Sequence, residues 1–137
     1  EMTGDDPTLT FNLIGRHQSC YVTTRVASVK SPWLSACAVG DLHSIAVSHG
    51  EGRFVAPQHV IDSLAQNGQI AFQYTDLTGE PSMDIAWNPN GSLCITSPDG
   101  RVLGKMGHTE RYSPFVGRNI YGEKYQPIFA GGVQYFK

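Results

Sequence analysis

Along most of the chain apolar and polar residues alternate with a period of two, and in only two places does the spacing change to that of a helix. Cys20 to Val29 is dense in β-branched residues with apolar groups at alternate positions, which predicts a strand. Ser31-Pro32 breaks it, because proline removes a ladder donor and holds the residue before it extended. Leu42 to His49 predicts a second strand, running on through Gly50 towards Val55. Gln69 to Asp76 and Met83 to Trp87 predict a hairpin around Thr78-Gly79-Glu80-Pro81, closed by the turn residues Asn88 to Ser92. Ile95 to Met106 predicts a further hairpin with Pro98-Asp99-Gly100 at its tip, whereas Thr8 to Ile14 alternates only weakly. Helical spacing appears in Pro57 to Gly68, where a proline opens the segment, Val60, Ile61 and Leu64 share one face, and Asn-Gly ends it. Ile128, Phe129, Val133 and Phe136 fit a short terminal amphipathic helix despite Gly131-Gly132.

A chain of 137 residues with 40% hydrophobic content suits one domain, or part of one, with a real core. Twelve acidic against ten basic side chains, a net charge of -2, form no Lys/Arg cluster, so nothing electrostatic points to nucleic acid or an anionic membrane. No apolar run approaches the roughly 18 residues of a membrane span and no basic-then-apolar signal opens the chain, so the expectation is a soluble, cytoplasmic protein. The beginning at Glu1, without an initiator or a cap, leads us to expect that the natural protein continues upstream.

Chemistry concentrates in Gly104-Lys105-Met106-Gly107-His108-Thr109-Glu110-Arg111. If Val102 to Met106 is a strand, alternation points His108 and Glu110 the same way as the chain leaves the sheet. A carboxylate beside an imidazole holds one tautomer and stabilises the imidazolium, so the pair reads as base and orienter of a nucleophile. The same spacing also occurs by chance on surface turns. The nucleophile itself is missing: Cys20, Cys37 and Cys94 lack the flanking glycines of a nucleophile elbow, and their odd number and wide spacing favour reduced thiols over disulfides or zinc. His49-Gly50-Glu51-Gly52-Arg53-Phe54 is the second motif, either a place where backbone approaches a ligand closely or a β-bulge with a solvated Glu-Arg pair.

Thr8 to Asn12, Ile14 to His17, Lys30 to Leu34, Ser48 to Phe54, Asn88 to Ser92 and Gly104 to Arg111 together resemble, in order, the C-terminal glutaminase region of phosphoribosylformylglycinamidine synthase in its long single-chain bacterial form. The resemblance implies an α/β fold: the C-terminal half of a flavodoxin-like class I (triad-type) glutamine amidotransferase domain, strand-rich with one clear helix and a short C-terminal helix. Residues 1–137 would then be a portion whose nucleophile-bearing N-terminal half is absent. By the family's motifs His108 would be general base and acid for a cysteine, and Glu110 its orienting carboxylate. Asn90, Gly91 and Ser92 would belong to the loop holding the glutamine α-amino and carboxylate groups, with His49, Gly50 and Glu51 lining or bracing the same pocket. The implied activity is hydrolysis of glutamine to supply ammonia for ATP-dependent conversion of formylglycinamide ribonucleotide to formylglycinamidine ribonucleotide in purine biosynthesis.

The implied partners are glutamine, the N-terminal half of the glutaminase domain and the synthetase domain, with no nucleic acid or membrane. No cofactor or metal is implied for this segment; ATP and magnesium would belong to the synthetase domain. Two departures stand against the family pattern. The Gly-x-Cys-Asn-Gly-type elbow lies upstream of this chain, so the piece alone should be inactive, and Gly91 to Ser97 is a few residues short of the usual segment before Ile-Thr-Ser. A rival reading is a non-catalytic β-rich binding or interaction module derived from the same fold. A third is a cysteine hydrolase pairing one of its own thiols with His108. Half a domain is expected to expose an apolar face and unpaired sheet edges.

Overall fold

The computed structural model describes residues 3–81 and 93–137, with only the backbone of Leu93. The strands are β1 (Thr8–Thr10), β2 (Gln18–Val26), β3 (Leu42–His49), β4 (Arg53–Val55), β5 (Ile70–Thr75), β6 (Leu93–Thr96) and β7 (Leu103–Gly104), with helices α1 (Gln58–Gln66) and α2 (Ile128–Tyr135). The result is a mixed α/β, strand-rich unit with two helices. One five-stranded sheet has the order β3-β2-β5-β6-β7, and β1 with β4 forms a separate two-stranded ribbon. Every pairing is antiparallel.

Period-two alternation sets the core. The register places Cys20 opposite Val47 and Val22 opposite Ile45 on one flank of β2, and Thr24 opposite Tyr74 and Val26 opposite Phe72 on the other. These residues therefore share one face of the sheet. At one end Val22, Ile45, Val47 and Tyr74 pack together, while at the other Val26, Phe72 and Cys94 meet Leu34 and Ile128.

After β7 the chain needs only Lys105 to His108 to reach the far edge of the sheet, where His108 makes an antiparallel bridge to Ala46 of β3. Four extended residues reach about 14 Å. Strands in this order, laid flat, would put β3 and β7 about 19 Å apart. The sheet is therefore curled on itself, and the bridge draws its two edges together.

The Ser31-Pro32 break becomes a 3-10 turn, Pro32–Leu34, that carries α2 and the hairpin tip together. Ser31 Oγ donates to the Gly100 carbonyl at 2.6 Å and Trp33 Nε1 to the Arg101 carbonyl at 2.8 Å. The Gly131-Gly132 pair, a liability for helix formation, is what lets α2 lie flat on this turn. A Cβ on Gly131 would stand 2.6 Å from the Trp33 carbonyl oxygen, and one on Gly132 2.5 Å from the Trp33 ring.

Several boundaries differ from the pattern. The first long strand is displaced toward the N-terminus, Gln18–Val26 in place of Cys20 to Val29, because Ala27 N–H already turns to the Ala71 carbonyl. The expected strand Val102 to Met106 shrinks to Leu103–Gly104, since the curl takes the chain away from β6. At Gly50 to Gly52 there is a bend between β3 and β4 and not a bulge within one strand. The second arm of the hairpin, Met83 to Trp87, and the turn Asn88 to Ser92 lie outside the described residues; Thr75 bridges to Pro81 just before them.

The expected apolar exposure is present. Phe11, Leu13, Phe129, Val133 and Phe136 are all at least half exposed, and α1 buries none of its residues fully. Among the described residues no helix is long and apolar enough to cross a membrane.

The close approach of α2 to Trp33 yields a test of packing against propensity. Alanine is intrinsically better than glycine inside a helix by about 1 kcal/mol, yet Gly131→Ala should destabilise the fold by about 1–3 kcal/mol through overpacking against backbone. Urea unfolding of the variant beside the parent measures the sign.

Candidate active site

His108 begins its segment with its N–H donated to the Ala46 carbonyl at 2.8 Å, so β3 fixes where the imidazole starts. Thr109–Arg111 then forms a 3-10 turn, closed by Arg111 N–H on the His108 carbonyl at 3.3 Å. Glu110 thus returns to His108 through a turn, and not through the strand alternation expected from the sequence. His108 Nδ1 and Glu110 Oε1 are 2.6 Å apart. The hydrogen bond from His108 is the foremost reason that the Glu110 carboxyl lies below its ordinary range. An ionised carboxylate accepts, so Nδ1 carries the proton and Nε2 is left as the basic nitrogen.

The pair is accessible, with the His108 side chain 29% and that of Glu110 61% exposed. A cleft of ≈ 490 Å³ beside it is lined by Trp33, Leu103, Met106, Ile128 and Phe129 together with both members of the pair. A larger cleft of ≈ 620 Å³, between α1 and the residues after β2, contains none of the candidate residues.

The second motif is organised by a residue that sequence reasoning passed over. Asn12 is 2% exposed between Phe11 and Leu13, which are 65% and 50% exposed. Its Nδ2 donates to the carbonyls of His49 at 2.7 Å and Arg16 at 3.2 Å. Its Oδ1 accepts from Gly52 N–H at 3.3 Å and lies 3.1 Å from His49 Nδ1, while its own N–H reaches the Gly50 carbonyl at 2.8 Å. His49 is consequently a buried, braced imidazole, and its ring lies so close over Gly52 that a Cβ there would stand 2.3 Å from it. Glu51 is exposed. In the sequence Asn12 stands out only as the last residue of the Thr8 to Asn12 stretch; the inversion, a polar side chain inside between two apolar ones outside, exists only in the fold.

Burial pushes the His49 imidazole below its ordinary pKa. Asn90, Gly91 and Ser92 lie outside the described residues. Burial raises the thiol pKa of Cys20, Cys37 and Cys94 and so disfavours the thiolate form.

His108 and Glu110 thus form an accessible imidazole–carboxylate pair. Residues 1–136 match the CobB/CobQ-like glutamine amidotransferase domain. The chain belongs to that family. Among its relatives, the phosphoribosylformylglycinamidine synthase subunit PurQ of Thermomicrobium roseum is 39% identical over 102 residues, 71% of this chain and 42% of the relative. The subunit of the same name from Chlorobium luteolum is 46% identical over 94 residues, 62% of this chain and 40% of the relative. The chain therefore spans about two fifths of the length of these relatives. A solved structure of PurLQS from Thermotoga maritima superposes with a TM-score of 0.68 at 24% identity, covering 96% of this chain and 54% of that one, and so shares the fold.

Two measurements follow from the buried groups. Asn12→Ala removes the side-chain donor to the buried His49 carbonyl, a loss of about 1–3 kcal/mol, and should lower the urea midpoint accordingly. Acidification should also destabilise the fold. Burial lowers the pKa of both His43 and His49 from 6.5, so the unfolded chain takes up these protons first and stability falls as pH drops through that value. Urea midpoints at pH 7.5 and 5.5 read this loss, which His43→Gln should reduce.

Proposed function

We propose that the chain is the C-terminal portion of the glutaminase domain of a long single-chain phosphoribosylformylglycinamidine synthase, lacking the nucleophile-bearing N-terminal half. The observation that carries this reading is the 2.6 Å contact between His108 Nδ1 and Glu110 Oε1, in a family defined by glutamine amidotransfer. The names of the PurQ relatives support the choice of parent reaction.

In this reading a cysteine from the upstream half gives its proton to His108 Nε2 and attacks the side-chain amide carbon of glutamine. Glu110 holds the imidazole with Nδ1 protonated and stabilises the imidazolium. The imidazolium returns the proton to the departing nitrogen, ammonia leaves, and a thioester remains. His108 then takes a proton from water, which attacks the thioester and releases glutamate and the thiol. His49, Gly50 and Glu51, braced by Asn12, border the glutamine pocket, and Asn90, Gly91 and Ser92 contribute to it. Ammonia passes to a synthetase domain, where ATP and magnesium belong. The setting is cytoplasmic.

The test is ammonia release from glutamine by the chain alone and after mixing with the upstream segment that bears the cysteine. Activity only in the mixture supports the split domain. Activity of the chain alone overturns it, and no activity in a mixture that associates stably favours a non-catalytic interaction module. In the parent enzyme Glu110→Gln should lower glutamine-dependent synthesis by roughly 10²-fold or more and leave ammonia-dependent synthesis unchanged. Equal loss of both would remove Glu110 from its assigned role.

A further inference from the structure

Lys105 lies inside the curl of the sheet, three residues before His108. Its ammonium donates to Gln126 Oε1 at 2.8 Å and to Thr109 Oγ1, and stands 5.5 Å from the centre of the Phe72 ring. Thr109 Oγ1 donates to the same Gln126 oxygen at 2.6 Å. Gln126 Nε2 donates to Thr24 Oγ1 at 3.1 Å, and the Thr24 hydroxyl donates to the His43 carbonyl at 3.3 Å. Three links of this chain are sealed from water, Thr24 being 0%, Gln126 1% and Thr109 7% exposed, while Lys105 itself is half-buried at the edge of a cleft.

Even a half-buried cation is costly unless it is compensated, and an apolar side chain of similar length would fill the same space at less cost. Among the described residues no carboxylate lies within ion-pair distance of Lys105; neutral oxygens and an aromatic face compensate it. Burial accordingly pushes its pKa down. What the cation holds is the informative part. Thr109 is the residue between His108 and Glu110, and it turns inward while Glu110 is exposed and His108 half-buried. The hydroxyl of Thr109 is thus the anchor of the turn that brings the carboxylate back to the imidazole.

We propose that Lys105 is a positioning residue for the His108–Glu110 pair: with Gln126 it clamps Thr109, and so fixes the turn in which Glu110 meets His108 Nδ1. The clamp ties that turn to β2 and β3 through Thr24, independently of the backbone bridge at Ala46. The kinetic part of its test rests on the glutaminase reading above; the spectroscopic part does not.

The experiment compares the parent with Lys105→Met, Thr109→Val and, as reference, Glu110→Gln. Two-bond ¹H–¹⁵N correlation of the His108 ring reads which nitrogen carries the proton. The parent should hold it on Nδ1, and both clamp variants should drift toward the Nε2–H tautomer, as Glu110→Gln does, while the other histidines keep their parent spectra. In the glutaminase assay with the cysteine-bearing segment, kcat should fall about 10-fold to 100-fold with KM for glutamine within about twofold, as expected for misplacement of a catalytic group. If Lys105→Met does not fold, Thr109→Val decides. Folded clamp variants that keep the parent tautomer overturn the proposal. A tautomer drift with a parent that releases no ammonia leaves the clamp standing and refutes the glutaminase reading instead.

Discussion

The hydrogen bond from His108 N–H to the Ala46 carbonyl is the constraint on which the site depends. It joins the chain leaving one edge of the sheet to the strand at the other edge, and it does so at the residue that carries the imidazole. Without that closure the residues after β7 would have no fixed place relative to β3. Curling also creates the interior in which Val22, Ile45, Val47 and Tyr74 can pack on one another. Fold and site are therefore held by the same contact.

The interior that results is not uniformly apolar. A polar strip through Thr24, Gln126, Thr109 and Lys105 runs between the two hydrophobic clusters, and a second polar centre, Asn12, secures the bend after β3. Such groups contribute little net stability when satisfied and cost a good deal when one partner is lost. Their effect is to admit one arrangement of the strand ends. Both centres stand next to a histidine of the candidate site, where angular precision matters more than total stability.

Much of this was legible in the sequence. Leu42 to His49 is a strand with the bounds its alternation gives, α1 and α2 stand where helical spacing put them, and Pro98-Asp99-Gly100 turns a hairpin. Those features depend on neighbours a few residues apart. Asn12 and Lys105 were not legible, because their partners are far along the chain and their surroundings exist only after folding. The pairing of His108 with Glu110 was anticipated for a reason that differs from the one found: a 3-10 turn, and not strand pleating, brings them together. The residue types were informative, and the backbone path between them was not.

The closing bridge joins residues about sixty positions apart. Contacts of such separation are among the slowest to form, because the entropy of closing a long loop is lost before any bond rewards it. A histidine and a glutamate separated by one residue thus become a chemical unit only when the two ends of the sheet have met. The pair is local in sequence and global in folding time. A nascent or partly unfolded chain would contain both side chains yet not hold them together, so their pairing reports completion of the fold.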